Sequence, residues 1–287
     1  MTDPHDSSNN SIQAHSGDIR LLVLDIDGTI AGESNQIRPA VLDAVKAVQQ
    51  QGIQVAIATG RMYCSALRFH EALGLSLPLM AYQGAMMKDP ITQTVHRHWP
   101  VSQDIAARLL DDLEHPDQKH RLSVHFYIDD QLYVRDLTPE TREYAERSGV
   151  KPIAVGDLRE VLHRDTTKIL ALSRDPDLIS SMLASFRQQY TPAELYFTKS
   201  VATFFEAANP KINKGIAVQF LAEEMLGLTA ANVMAIGDNF NDVEMLRYSG
   251  IGVAMGNAPT DVQADANWVT DDVEADGVAI AIHKFLL

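Results

Sequence analysis

Residues 19–29 read Ile19-Arg20-Leu21-Leu22-Val23-Leu24-Asp25-Ile26-Asp27-Gly28-Thr29. Residues 19–26 are apolar almost without a break, and the run ends in acids. A run that does not alternate predicts a strand buried on both faces, as in a parallel sheet. Its polar carboxyl end then lies at the sheet edge where open α/β folds bind ligands.

The same pattern repeats on either side. Residues 39–51 carry apolar positions at helical spacing (Val41, Leu42, Val45, Val48), with Pro39 near the start and Gly52 just past the end. Residues 53–58 (IQVAIA) predict a second buried strand, 62–73 a helix closed by Gly74, and 79–82 a third strand. This β-α-β-α-β order implies parallel strands joined by crossover helices. Beyond residue 85 the pattern changes. Residues 123–135 alternate with a period of two around Asp129-Asp130-Gln131, and 195–199 with 201–207 read as a second hairpin. A strand at 167–172 and a helix at 176–190 lie between them. On the first of these strands Ser123, His125 and Tyr127 share one face, which either looks onto the substrate or, by default, is an exposed polar one.

From Asn213 the first pattern returns, with helices at about 215–226, 242–248 and 277–285 and strands at 233–236, 251–254 and 268–269. The expected fold is α/β: a Rossmann-like parallel-sheet core of residues 18–85 and 210–287, interrupted by an inserted α+β cap domain at 86–209. Residues 1–17 are polar, lack Lys and Arg, and read as a flexible tail with no apolar targeting core.

Composition narrows the function classes. The chain has 287 residues, with 38 acids against 24 bases and a formal charge of −14. That balance argues against non-specific nucleic-acid binding and against an anionic membrane surface. No apolar run is long enough to span a bilayer. The one cysteine, Cys64, allows no disulfide within the chain, which fits a reducing, cytoplasmic setting. An acidic protein acting on an anion needs a local source of positive charge, such as a bound metal.

Polar residues cluster at the ends of the predicted core strands: Asp25-Ile26-Asp27-Gly28-Thr29, then Thr59-Gly60-Arg61, then Lys214 opening a helix, then Gly237-Asp238-Asn239-Phe240-Asn241-Asp242. The fold would bring them together across most of the chain. Each also has a plainer reading. An acid at a strand end can be a turn or cap residue. Thr59 can cap the following helix, Asp238 and Asp242 can be acids favoured by a helix dipole, and Arg61 can form a surface ion pair.

In order and in placement these four segments resemble the motifs of the haloacid dehalogenase-like superfamily. The match is closest to the Cof-type phosphatases, which carry a large α/β cap between the second and third motifs. The resemblance spans residues 20–287 and includes Met255-Gly256-Asn257-Ala258 and Asp276-Gly277-Val278-Ala279. It implies that Asp25 is the nucleophile, forming an aspartyl phosphate, and that Asp27 protonates the leaving oxygen and then activates water. It implies Mg²⁺ held by the Asp25 carboxylate, the Asp27 carbonyl and Asp238, with Asp242 orienting a metal-bound water or Lys214. Thr59 and Lys214 complete the catalytic set. Gly28, Thr29, Gly60, Arg61 and Asn241 are the expected substrate contacts.

The implied activity is hydrolysis of small phosphorylated metabolites, either sugar phosphates or phosphorylated cofactors. The alternatives are a phosphosugar mutase and a non-catalytic phosphometabolite-binding protein. The cap is expected to choose the substrate. One departure stands near the hinge, where Gln83-Gly84-Ala85 replaces the usual Asn-Gly-Ala.

Overall fold

The computed structural model describes residues 18–287. Strand β1 (Leu21–Leu24) is fully buried. It is followed by α1 (Pro39–Gln50), β2 (Gln54–Ile57), α2 (Tyr63–Ala72) and β3 (Leu79–Ala81). After the insertion come α6 (Lys214–Gln219, continued as a π-helical turn over Phe220–Met225), β12 (Val233–Gly237), α7 (Val243–Tyr248), β13 (Ile251–Ala254), α8 (Thr260–Ala264), β14 (Trp268–Val269) and α9 (Gly277–Phe285). The five-stranded sheet runs β14-β13-β12-β1-β2, and every pair is parallel.

Alternation along β1 explains the two helical layers. Leu22 and Leu24 join a cluster with Val41, Val45 and Val48 of α1 and with Ile282 of α9. Leu21 and Val23 point the other way, into a cluster with Val218, Leu221, Met245 and Leu246. Burying such a Leu or Val is worth roughly 1.5–3 kcal/mol, so neither face of β1 tolerates a polar residue. Register then sets the site. Leu24 is level with Ile236 on one side and Ile57 on the other, so Asp25, Gly237-Asp238 and Ala58-Thr59 leave the sheet at one edge.

Residues 86–98, counted with the insertion on sequence grounds, pair with the core instead. Strands β4 (Met86–Lys88) and β5 (Val95–His98) extend β3 as an antiparallel meander, and a bridge from Met80 to Ala58 ties β3 to the end of β2. Met87 packs beside Leu21 and Val23. Strands of three and four residues carry too little periodicity to be seen in the sequence.

The second sheet runs β10-β11-β9-β6-β7-β8. Its strands are β6 (Ser123–Ile128), β7 (Gln131–Val134), β8 (Pro152–Ala154), β9 (Thr166–Leu172), β10 (Tyr196–Thr198) and β11 (Phe204–Ala208). Only β7–β8 is parallel. Asp129 and Asp130, at φ 50° and 57°, form the tight turn between β6 and β7. One face, with Val124, Phe126, Ile169 and Phe205, packs on α3 (Gln103–Leu113) and α5 (Pro176–Gln189).

The opposite face looks toward the core. Ser123, His125 and Tyr127 lie on it and are buried, contrary to the exposed face expected. The cover comes from α4 (Pro139–Ser148), where Thr141 meets His125 Nε2 at 2.9 Å and Tyr144 meets its ring edge-on. The sequence of α4, PETREYAERS, has almost no apolar stripe, so it went unseen. No helix among the described residues is long and apolar enough to cross a membrane.

Candidate active site

Asp25, just past β1, is still tied to the sheet, its amide donating to the Ile236 carbonyl at 3.1 Å. The chain then turns through Gly28, at φ 80°. A side chain there would be strained, and its Cβ would lie 2.1 Å from Asp238 Oδ2, so only glycine lets the two loops approach. Thr29 points its hydroxyl toward Asp238 Oδ1 at 3.5 Å.

Lys214 reaches in from the opposite side. Asn213 caps α6 by accepting from the Ile216 amide, which fixes the first turn. The fully buried ammonium donates to Asp25 Oδ1 at 2.6 Å and to Asp242 Oδ1 at 2.5 Å. Burial alone would pull its pKa down, but Asp242 and Asp25 push it above the ordinary lysine value. The other oxygen of Asp242 accepts from the amides of Asp238 and Asn239, both at 3.0 Å. All the strong donors around Asp242 are thus already satisfied, and it braces the loop after β12.

Asp25, Asp238 and Asp242 each offer a carboxylate oxygen, and the three atoms lie within 4.8 Å of one another. One ammonium cannot neutralise three buried carboxylates. Burial pushes Asp25 up to about 7 despite Lys214, and burial with the Asp242 and Asp25 charges pushes Asp238 up to about 9. A hard divalent cation fits this oxygen-only set and supplies the missing charge.

Asp27 faces the cavity, with 43% of its side chain exposed. Arg61 grips it with a two-pronged fork at 2.7 and 2.6 Å, and Arg147 of α4 approaches to 3.7 Å. Burial works to raise the Asp27 pKa, yet the Arg61 fork outweighs it and holds the group below the usual carboxylate range. Arg61 is therefore a nearly buried ion-pair partner of Asp27, and Gly60 beside it lines the cavity. Thr59 is fully buried, and its hydroxyl accepts from the Arg61 amide at 3.2 Å, so it shapes this loop. Asn241 donates to Gln83 Oε1 at 3.0 Å and lines the cavity.

Further residues belong to this region. Asn257 donates to the Gly28 carbonyl at 2.9 Å and to Asp238 at 3.4 Å, tying the first and fourth loops together. Lys168 of β9 and Glu206 of β11 form a buried pair at 2.8 Å, and the same ammonium donates to the Gly60 carbonyl at 2.8 Å. Burial works to raise the Glu206 carboxyl, but Lys168 holds it below its ordinary range. Sequence reasoning missed Lys168 and Glu206, although each is the one charge in its strand, TTKILAL and FFEAA.

The second sheet thus lies against the core over a cavity of about 880 Å³ that includes Asp25, Asp27 and Asp238 in its wall. Further ties close it: Asn239 Nδ2 to the Ser200 carbonyl at 2.9 Å, Asn35 Nδ2 to the Arg147 carbonyl at 2.8 Å, and the Tyr82 hydroxyl to Asp130 at 2.6 Å. This arrangement can hold a cation and an anion beside the Asp25 carboxylate.

Comparison with known proteins agrees. The haloacid dehalogenase-like hydrolase family matches residues 22–282. The 5-amino-6-(5-phospho-D-ribitylamino)uracil phosphatase YcsE of Bacillus subtilis is 30% identical over 278 residues, covering 96% of this chain and 100% of that one. The pyridoxal phosphate phosphatase YbhA of Escherichia coli is 27% identical over 282 residues, covering 93% and 99%. A haloacid dehalogenase-like hydrolase from B. subtilis superposes with a TM-score of 0.81 at 24% identity, covering 94% and 100%. A parallel sheet with its acids at one edge, a cap inserted beyond it and a match over nearly the whole chain place this protein in the haloacid dehalogenase-like hydrolase family, among the Cof-type phosphatases.

Proposed function

We propose that the chain is a Mg²⁺-dependent phosphatase of small phosphorylated metabolites, working through an aspartyl phosphate on Asp25. The observation that carries this is Lys214 bridging Asp25 and Asp242 at 2.6 and 2.5 Å beside Asp238, at the wall of the cavity under the cap. In this reading Asp25, the Asp27 carbonyl and Asp238 would hold the metal, with Asp242 as the brace that orients Lys214; the cluster of Asp25, Asp238 and Asp242 oxygens supports it. When bound, Mg²⁺ supplies positive charge that offsets the repulsion between these carboxylates and a phosphate dianion.

In the first step an Asp25 oxygen attacks phosphorus and the P–O bond to the alcohol breaks. The leaving oxygen takes a proton from Asp27. In the second step Asp27 accepts a proton from water, the water oxygen attacks phosphorus, and the P–O bond to Asp25 breaks. Inorganic phosphate leaves and both carboxylates return to their starting state. The Arg61 fork keeps Asp27 ionised in the free chain, which suits it to the second step. For the first step the fork yields as substrate arrives and Asp27 takes up a proton from solvent, and after the second step it returns that proton to solvent as the fork re-forms. Lys214 holds Asp25 in place and balances charge on the transferring group; the Gly28 and Thr29 amides already donate to the Ala31 and Ile26 carbonyls at 2.9 and 3.2 Å, so of the three expected loop contacts Gly60 is the one left to offer its amide.

The test is phosphate release from a panel of phosphorylated metabolites with Mg²⁺. Asp25→Asn should be silent on every substrate while keeping its circular dichroism spectrum. Release by that variant would overturn the assignment of the nucleophile.

A further inference from the structure

Asn35 stands in the turn that follows the loop after β1, at φ 55°, with its amide donating to the Gly32 carbonyl at 3.1 Å. Asparagine is common in such turns, where its side chain ordinarily bonds its own backbone. Here both ends of the side chain are engaged elsewhere. Oδ1 accepts from Arg61 Nη2 at 2.7 Å, and Nδ2 donates to the Arg147 carbonyl at 2.8 Å. The Asn35 carbonyl accepts from Arg68 Nη2 at 3.1 Å. The turn itself is held from the C-terminal side, where Glu274 accepts from the Glu33 amide at 3.1 Å and Asp276 from Arg38 Nε at 2.5 Å.

Arg147 and Ser148 end α4, and the carbonyls of a last turn have no partner within their helix. The core supplies the donors: Asn35 to Arg147, and the Ser65 hydroxyl to Ser148 at 2.6 Å. With an acceptor on one side and a donor on the other, only one orientation of the Asn35 amide satisfies both.

Arg61 depends on that amide. Its Nε and Nη2 are taken by the two oxygens of Asp27, and Nη1 is buried without a partner among the described residues. The guanidinium lies over the Phe69 ring at 4.7 Å, and the Arg68 guanidinium shares that ring at 4.2 Å. A ring face does not stop a guanidinium from turning in its own plane, and a second cation beside it repels. Among the described residues, Asn35 is the one side chain besides Asp27 that bonds this guanidinium.

Resting on the phosphatase reading above, we propose that Asn35 is a positioning residue: fixed by the docked end of α4, it keeps Arg61 in place while the fork is open, so that the fork re-forms on Asp27 for the second step. When the two bonds to Asp27 break, the bond from Nη2 to Asn35 remains, and the guanidinium swings about it instead of leaving. The first step runs with the fork open and needs Asn35 least. The second step needs Asp27 aimed at the attacking water and needs Asn35 most.

The experiment is a pulse and chase with p-nitrophenyl phosphate carrying radioactive phosphorus, in the presence of Mg²⁺. Its good leaving group makes the first step fast, so the aspartyl phosphate accumulates and its decay can be followed by acid quenching. Glycine suits φ 55°, so Asn35→Gly removes the side chain and leaves the turn its shape. In that variant the rate constant of labelling should stay within about twofold of the parent, while decay of the label slows roughly tenfold. A merely structural role would reduce the amount of label and leave the first-order decay constant unmoved. Arg61→Lys cannot form the fork and should slow decay to a similar extent. Adding Asn35→Gly to it should cost less than about twofold more, because the two act in series.

A second readout needs no turnover. The Arg61 Nε proton, recognised in the NMR spectrum by its loss in Arg61→Lys, should exchange with solvent roughly tenfold faster in Asn35→Gly. An unchanged decay constant in Asn35→Gly, or effects of the two substitutions that multiply, overturns the role of Asn35 and leaves the phosphatase reading standing. Faster Nε exchange in Asn35→Gly, with neither label nor phosphate release in the parent, supports Asn35 as the holder of Arg61 and sinks the phosphatase reading. No label and no change in exchange overturn both.

Discussion

Lys168 lies 2.8 Å from Glu206, and both side chains are almost wholly buried in the face of the cap sheet that meets the core. The same ammonium reaches the Gly60 carbonyl across the domain junction at 2.8 Å. A buried charge pair of this kind is costly to break and less costly to replace. Glu206→Gln leaves an uncompensated buried ammonium and should lose roughly 3–5 kcal/mol in chemical denaturation. Lys168→Met with Glu206→Leu should recover most of that loss. The double variant still lacks the bond to Gly60, so its stability should return while its KM stays raised. Equal recovery of both would show that the pair has no part in holding the cap on the core.

Asp25→Asn should separate stability from function. Three buried carboxylates crowd one ammonium, and removing one of them relieves repulsion while Lys214 keeps Asp242. In metal-free buffer the variant should be as stable as the parent or more so, by about 1 kcal/mol or more. It should release no phosphate. A marked loss of stability would mean that the Lys214–Asp25 bond outweighs the repulsion around it.

Legibility in the sequence followed the length and purity of each apolar run. Residues 21–24 stand at the centre of a sheet with a helical layer on each side, so every position there had to be apolar and the strand could be read directly. The acids after it were legible for the same reason, since only a strand end lets the buried Asp25 follow Leu24 and still meet the charged partners of the other loops. The cap was less legible. Its α4 buries only Thr141 and Ala145 fully, because its partner is a polar patch around His125 rather than an apolar sheet. The departure at Gln83 also became clear only in three dimensions. Held at φ 61°, it spans from Asn241 in the core to Glu206 in the cap, at 3.0 and 3.4 Å, and no local pattern announces such a long-range contact.

His125 should make the cap acid-sensitive. Its ring is fully buried among Thr141 and Tyr144 of α4, Tyr127 of its own strand and the Lys168 ammonium of β9. Burial first, and Lys168 second, drop its pKa from 6.5 to about 3. Below 6.5 the unfolded chain takes up a proton that the folded chain refuses. This contribution is therefore complete above pH 6.5 and is lost as pH falls toward about 3. Each pH unit in that window is worth about 1.4 kcal/mol at most. His125→Gln keeps a partner for Thr141 but cannot titrate, so its stability should fall less steeply between pH 6 and 4 (roughly the middle of that window). Parallel curves for the two proteins would mean that the ring is protonated in the folded state.

Metal binding should distinguish Asp238 from Asp242, although both belong to the acidic cluster. Asp238 has weak partners only, Thr29 at 3.5 Å and Asn257 at 3.4 Å, and its carboxyl is pushed up to about 9 by burial and by its acidic neighbours. A cation relieves that crowding directly. Asp242 already accepts from Lys214 and from two backbone amides. Mg²⁺ at about a hundred times its dissociation constant should stabilise the chain by roughly 2.7 kcal/mol, through binding to the folded state alone. For a chain of this size, that corresponds to a rise of several degrees in Tm. Asp238→Asn should remove most of this rise while leaving the metal-free Tm equal or higher, since the folded chain no longer holds a carboxyl forced above its ordinary range. Asp242→Asn should lower the metal-free Tm, because Lys214 loses one of its two counter-charges and the amides of Asp238 and Asn239 lose a charged acceptor. A thermal-shift titration of the three proteins reads both effects at once. The assignment of Asp238 as ligand and Asp242 as brace fails if the two variants exchange these behaviours.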